Sequence, residues 1–110
     1  MIDKVKVWLE DIEKSIIEIE EFLPTPRDFR KFQKDLKTKR AVERNIEIIG
    51  EAMNRIVREY PTIPISQTRK IIDTRNRIIH GYDSVSEEIL WAICLKDLPR
   101  LKEEIQRIRK

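Results

Sequence analysis

The stretch Ile2-Asp3-Lys4-Val5-Lys6-Val7-Trp8-Leu9-Glu10-Asp11-Ile12-Glu13-Lys14-Ser15-Ile16-Ile17-Glu18-Ile19-Glu20-Glu21-Phe22-Leu23 places Ile2, Val5, Leu9, Ile12, Ile16, Ile19 and Leu23 at alternating steps of three and four. That spacing lines one face of an α-helix with apolar side chains and turns the charged ones outward, as a helix packed on another helix requires. Pro24 disfavours a helical Leu23 and ends the segment. Thr25 and Pro26 suit the N-cap and first position of a second helix.

The same period recurs downstream. Phe29, Phe32 and Leu36 give a short apolar edge inside a basic stretch holding Arg27, Arg30, Lys31, Lys34, Lys37, Lys39 and Arg40, which reads as a solvated face or as a track for RNA. Val42, Ile46, Ile49, Met53, Ile56 and Tyr60 predict a third helix ending before Pro61, with Gly50 inside it where a neighbouring helix can approach closely. A fourth helical stretch runs from about Ser66 to His80, with Gly81 placed for a left-handed cap. Ser84-Val85-Ser86-Glu87 offers a capping box for a last helix carrying Leu90, Ile93, Leu98, Leu101, Ile105 and Ile108, which Pro99 must kink or restart near Asp97. The expected architecture is all-α, an up-and-down bundle of four to five helices in a single domain over residues 1–110.

Composition agrees with that class. The chain has 110 residues, enough for one core, with 40% apolar and 39% charged residues and only two glycines, which favours long helices with charged outer faces over a turn-rich β fold. Abundant Ile, Lys, Arg and Glu resembles the usage of heat-adapted proteins. The net charge of +3 permits an anionic partner without demanding one. A lone cysteine, Cys94, excludes an internal disulfide and a cysteine-based metal cluster and reads as core filler. With no apolar run near the roughly 18 residues of a membrane span, and a start, Met1-Ile2-Asp3-Lys4, unlike a signal peptide, the expectation is a cytoplasmic protein with no membrane association.

The chemistry-bearing residues gather in the fourth helix. On a wheel of about 100° per residue, Thr68, Ile71, Ile72, Ile78 and Ile79 crowd one side and Arg75 falls among them. A guanidinium there must meet an anion: a carboxylate of this chain, with Glu51 and Glu43 as candidates, one from a second chain, or a substrate phosphate. His80 lies one turn beyond Asn76, whose amide is placed to orient the imidazole, with Arg69 and Asp73 on the same flank. One His, one Cys, no ligand-spaced cluster, no glycine-rich phosphate loop and no nucleophile elbow leave metal-free acid–base chemistry, with no cofactor expected.

These residues, Arg75-Asn76-x-x-x-His80-x-Tyr82, resemble the R-x-x-x-x-H-x-Y signature of the HEPN superfamily in its HepT-like toxin branch. Ala41-Val42-Glu43-Arg44-Asn45-Ile46-Glu47-Ile48-Ile49-Gly50-Glu51-Ala52 resembles that branch's central helix and Asp97-Leu98-Pro99-Arg100-Leu101 its last one, whereas Ile63-Pro64-Ile65-Ser66-Gln67 departs from the family by lacking a Trp. The resemblance implies a homodimeric, metal-independent ribonuclease toxin paired with a nucleotidyltransferase antitoxin, MntA, that silences it by attaching AMP to Tyr82. It implies phosphate binding by Arg75, acid–base work by His80 and positioning by Asn76, in an RNA-cleaving site completed by two chains meeting through the motif helix. Two other readings stand beside it: a non-catalytic nucleotide-binding or scaffolding partner of a nucleotidyltransferase, and a dimerisation protein in which Arg75 forms an interface ion pair.

Overall fold

The computed structural model describes residues 2–81 and 85–110, and these contain helices and no strand. The first helix, α1 (Asp3–Phe22), buries Val5, Leu9, Ile12, Ile16 and Ile19, and Leu23 is buried just beyond it. Ile2, at the chain end, stays half exposed. Leu23 takes extended dihedrals (φ −84°, ψ 118°), as a residue before proline should, and α1 stops there.

Helix α2 (Phe29–Lys34) starts later than Thr25 and Pro26 suggest. Its cap is Asp28, whose carboxylate accepts from the Arg30 and Lys31 amides at 2.9 and 3.3 Å; an anion serving two free N–H groups caps better than a threonine hydroxyl. Phe29 and Phe32 turn inward against Trp91, with ring centroids 5.7 and 5.2 Å away. Leu36 does not join that edge, because it opens the next helix and is exposed.

Helix α3 (Leu36–Glu59) is capped by Asp35 and buries Val42, Ile46, Ile49, Met53 and Ile56 as the spacing predicts. It is the centre of the bundle: α1 packs along it, and so does α4 (Thr68–His80), across the face that carries Gly50. Between α3 and α4, Ile63 and Ile65 plug the core, and the Ser66 amide donates to the Glu104 carboxylate.

The last helix has three consecutive pieces: α5 (Glu87–Ala92), a π-helical turn at Ile93–Asp97, and α6 (Leu98–Arg109). The cap is Ser86, whose hydroxyl accepts from the Ile89 amide at 3.2 Å, so Glu87 opens the helix instead of closing a capping box led by Ser84, which lies outside the described residues. Pro99 explains the π turn. It has no N–H for the Leu95 carbonyl and its ring crowds that group, so the winding loosens and the Leu98 amide reaches back five residues to Ile93.

Ion pairs such as exposed Lys4–Glu59 and partly buried Lys102–Glu20 join neighbouring helices, but an exposed pair contributes only about 0–1 kcal/mol. Removing the side chain of fully buried Leu9 or Ile56 costs about 2–5 kcal/mol, so the apolar stripes set the packing. Free Cys94 is part of that core, and burial pushes its thiol pKa up to about 12.

Candidate functional site

What brings α4 against α3 is a missing side chain. A Cβ on Gly50 would fall 2.7 Å from Arg75 Cγ, closer still to Arg75 Cβ, and 3.3 Å from the Ile71 carbonyl oxygen. The aliphatic stem of Arg75 therefore occupies the space that any other residue at position 50 would fill. This is the close approach anticipated at Gly50, and its partner is the arginine that the sequence singles out.

The buried strip of α4 centres on Ile71 and Thr74, with Ile78 half buried beside them, so Arg75 sits at the strip's margin instead of its middle. Ile72 is half buried and Ile79 is 46% exposed. Seven residues apart, these two form an apolar edge that follows Arg75 around the helix and precedes Asn76 and His80. The wheel groups them with the core because the stripe is wider than the surface α3 covers.

Neither Glu51 nor Glu43 pairs with Arg75. Glu51 bonds Arg55 at 2.9 Å and Glu43 bonds Arg40 at 3.1 Å, each within one turn of α3. Instead, Arg75 Nη1 donates to Oδ1 of Asn76 at 2.9 Å, and its Nε is buried with no acceptor. A guanidinium held by a neutral amide keeps its full charge and retains a donor for an anion. Adjacent residues on a helix point about 100° apart, so only a side chain as long as arginine's can curl round to make this bond. The oxygen of Asn76 thus accepts from Arg75.

His80 is the last residue of α4 and is exposed. Gly81 follows at φ 66°, and its amide bonds the Arg77 carbonyl at 3.2 Å, the left-handed cap expected from sequence. Tyr82 lies outside the described residues. Arg75, Asn76 and His80 therefore emerge on one flank of α4, beside the Ile72–Ile79 edge.

A contact on the opposite flank was not signalled by spacing. Asp97, buried in the π turn, meets Lys70 Nζ at 2.7 Å and so ties α4 to the last helix. Its only trace in the sequence is a carboxylate set among apolar residues next to Pro99. Among the described residues, no group of three or more His, Cys, Asp or Glu is placed to hold a metal ion, and no helix is long and apolar enough to cross a membrane.

The chain as a whole, a helical bundle, matches a known family. Residues 12–108 match the family described as "Ribonuclease HepT-like", within the HEPN superfamily, and the chain belongs to it. It is 38% identical over 108 residues to "Probable ribonuclease HepT" of Thermococcus cleftensis, covering 96% of both chains. It is 33% identical over 110 residues to a "Putative RNase" of Methanocaldococcus jannaschii, covering 96% of this chain and 88% of the relative. A second "Putative RNase" of that organism is 34% identical over 106 residues, covering 93% and 94%. No solved structure matches.

Proposed function

We propose that this chain is the toxin of a toxin–antitoxin system, a metal-independent endoribonuclease whose active site is completed when two chains meet through α4. The observation that carries this reading is Arg75: wedged over Gly50, bonded to a neutral amide, with a buried Nε that lacks an acceptor. Such a group suits a phosphate. The names of the relatives support the choice of RNA as the phosphodiester.

Cleavage through the 2′-hydroxyl requires a base to take its proton as that oxygen attacks phosphorus, an acid to protonate the departing 5′-oxygen, and positive charge on the phosphate oxygens. The products are a 2′,3′-cyclic phosphate and a 5′-hydroxyl. Imidazole is suited to both proton transfers near neutral pH, yet the chain has one histidine. A two-fold pairing of α4 helices supplies two His80 and two Arg75 to one cleft. The exposed Ile79 and half-buried Ile72, between Arg75 and His80 on the helix surface, give such a pairing an apolar seam. In this arrangement Arg75 binds phosphate, His80 does the acid–base work, and Asn76 positions the guanidinium.

Silencing is part of the same proposal. A nucleotidyltransferase antitoxin of the MntA kind transfers AMP to Tyr82, two residues past His80, and the added bulk and negative charge near the Arg75 pair exclude RNA. The test of the activity is incubation of purified protein with RNA in excess chelator. Wild-type protein is expected to cleave and His80→Ala protein is not; cleavage that needs added divalent metal, or that persists without His80, would overturn the reading.

A further inference from the structure

Charge is distributed unevenly along the chain. Residues 27–40 hold seven cations and two carboxylates, whereas the other 96 residues hold sixteen cations and eighteen carboxylates. The whole positive excess of the protein therefore sits on α2 and the first turns of α3.

Local stability does not account for it. The two carboxylates of the segment, Asp28 and Asp35, are occupied as helix caps. Lys39 bonds Glu87 at 2.8 Å and Arg40 bonds Glu43, while Arg27 donates to the Leu23 and Pro24 carbonyls. Arg30, Lys31, Lys34 and Lys37 remain exposed and form no salt bridge among the described residues, although the Lys37 charge acts on Asp35 through space. Lys37 lies in the first turn of α3, which has no acidic residue, so it stands at the end of the helix where the backbone dipole disfavours a cation. The other side of α2 is packed: Phe29 and Phe32 rest against Trp91.

Its position relates it to α4. Leu36, Lys39 and Arg40 share a groove of mixed charge with Val85, Ser86 and the carboxylates Glu43, Glu87 and Glu88, so the cationic face itself lies on α2 and Lys37, beside this groove and not within it. Gly81, the cap of the helix carrying His80, is four residue steps from Val85, which bounds their separation at roughly 14 Å.

From this we infer that the face formed by Arg30, Lys31, Lys34 and Lys37 is a binding site for the phosphate backbone of single-stranded RNA, holding the strand beside the cleavage site. The inference rests on the ribonuclease reading and adds a second site to it. Backbone contacts of this kind carry no sequence preference and strengthen as salt falls.

The test is fluorescence-anisotropy titration of a labelled single-stranded RNA across a salt series, with cleavage followed in parallel. The triple variant K31A/K34A/K37A is compared with K6A/K14A/K96A, which loses the same charge from exposed lysines elsewhere. All six side chains lie on the surface, and circular dichroism checks the fold. The first triple is expected to weaken binding roughly tenfold or more near 0.1 M salt and to lower the log–log salt slope by about 2. It should raise KM with little change in kcat, and the control triple should bind nearly as wild type. Equal binding by wild type and the first triple, with cleavage intact, would overturn this inference and leave the ribonuclease reading standing. Equal weakening by both triples would reduce the effect to net charge and overturn it too. A wild-type protein that neither binds nor cuts RNA would overturn both.

Discussion

Gly50 and Arg75 share a space that only a glycine leaves open: the arginine's Cβ and Cγ lie where a side chain on Gly50 would begin. The contact sets both the spacing of α3 and α4 and the direction from which the guanidinium reaches the surface. Gly50→Ala should therefore destabilise the fold by about 1–3 kcal/mol, although alanine is the better helix former by up to about 1 kcal/mol. Chemical denaturation measures this, and an unchanged or raised midpoint would show that α4 is not seated on Gly50. Because Arg75 must move to admit the methyl group, RNA cleavage should fall as well.

Arg75 separates a catalytic role from a structural one. Arg75→Met keeps most of the stem over Gly50 and removes a buried Nε that has no acceptor, so stability should be held or raised. Loss of the charge that meets the phosphate should still reduce kcat by about 100- to 1,000-fold. Cleavage assays on a variant shown by thermal melting to be folded decide this; full activity would leave Arg75 as packing alone.

The Asp35 cap predicts a pH dependence with a definite sign. The Thr38 hydroxyl and then the Thr38 amide hold the Asp35 carboxyl below its ordinary value of 3.8. A carboxylate whose pKa is lowered by folding stabilises the native state above its unfolded value, and that contribution fades as pH falls through the folded one. Asp35→Ala should thus melt at a lower temperature than wild type near pH 7, with the gap narrowing once pH falls below 3.8 and closing as it passes through the lowered folded value. A gap independent of pH would remove the ionised cap from the account.

Tyr82 tests silencing apart from catalysis. Tyr82→Phe should cleave RNA at a rate near that of wild type, and should keep doing so after incubation with the nucleotidyltransferase and ATP, while wild-type protein gains the mass of AMP and loses activity. Mass spectrometry alongside the cleavage assay reads both. A phenylalanine variant that is still silenced by nucleotide transfer would move the modification elsewhere.

Helix packing was largely legible in the sequence because it depends on spacing. Val5, Leu9, Ile12, Ile16 and Ile19 of α1 and Val42, Ile46, Ile49, Met53 and Ile56 of α3 are buried as their three-and-four steps select, while Ile2 at the chain end is exposed and Ser15, Asn45 and Ala52 are buried beside the stripe. Caps were less so, since Thr25 and Ser84 satisfy the same pattern as Asp28 and Ser86, and only the course of the chain decides which side chain meets the free amides. The neighbour of Arg75 was the hardest to read. Glu51 and Glu43 are as close in sequence logic as any carboxylate, but each has an arginine one turn away, and the amide that holds Arg75 is an adjacent residue that a helical wheel places on another face. The Lys70–Asp97 contact depends on a π turn that no periodicity announces.

The central claim is that two chains build one active site, and a mixing experiment tests it most directly. Wild-type and His80→Ala chains are co-refolded at varied ratios and constant total concentration, and RNA cleavage in chelator is measured. If both His80 side chains act at one site, mixed dimers are inactive and activity follows the square of the wild-type fraction. Activity proportional to that fraction would mean that each chain cuts with its own histidine and would contradict the shared site.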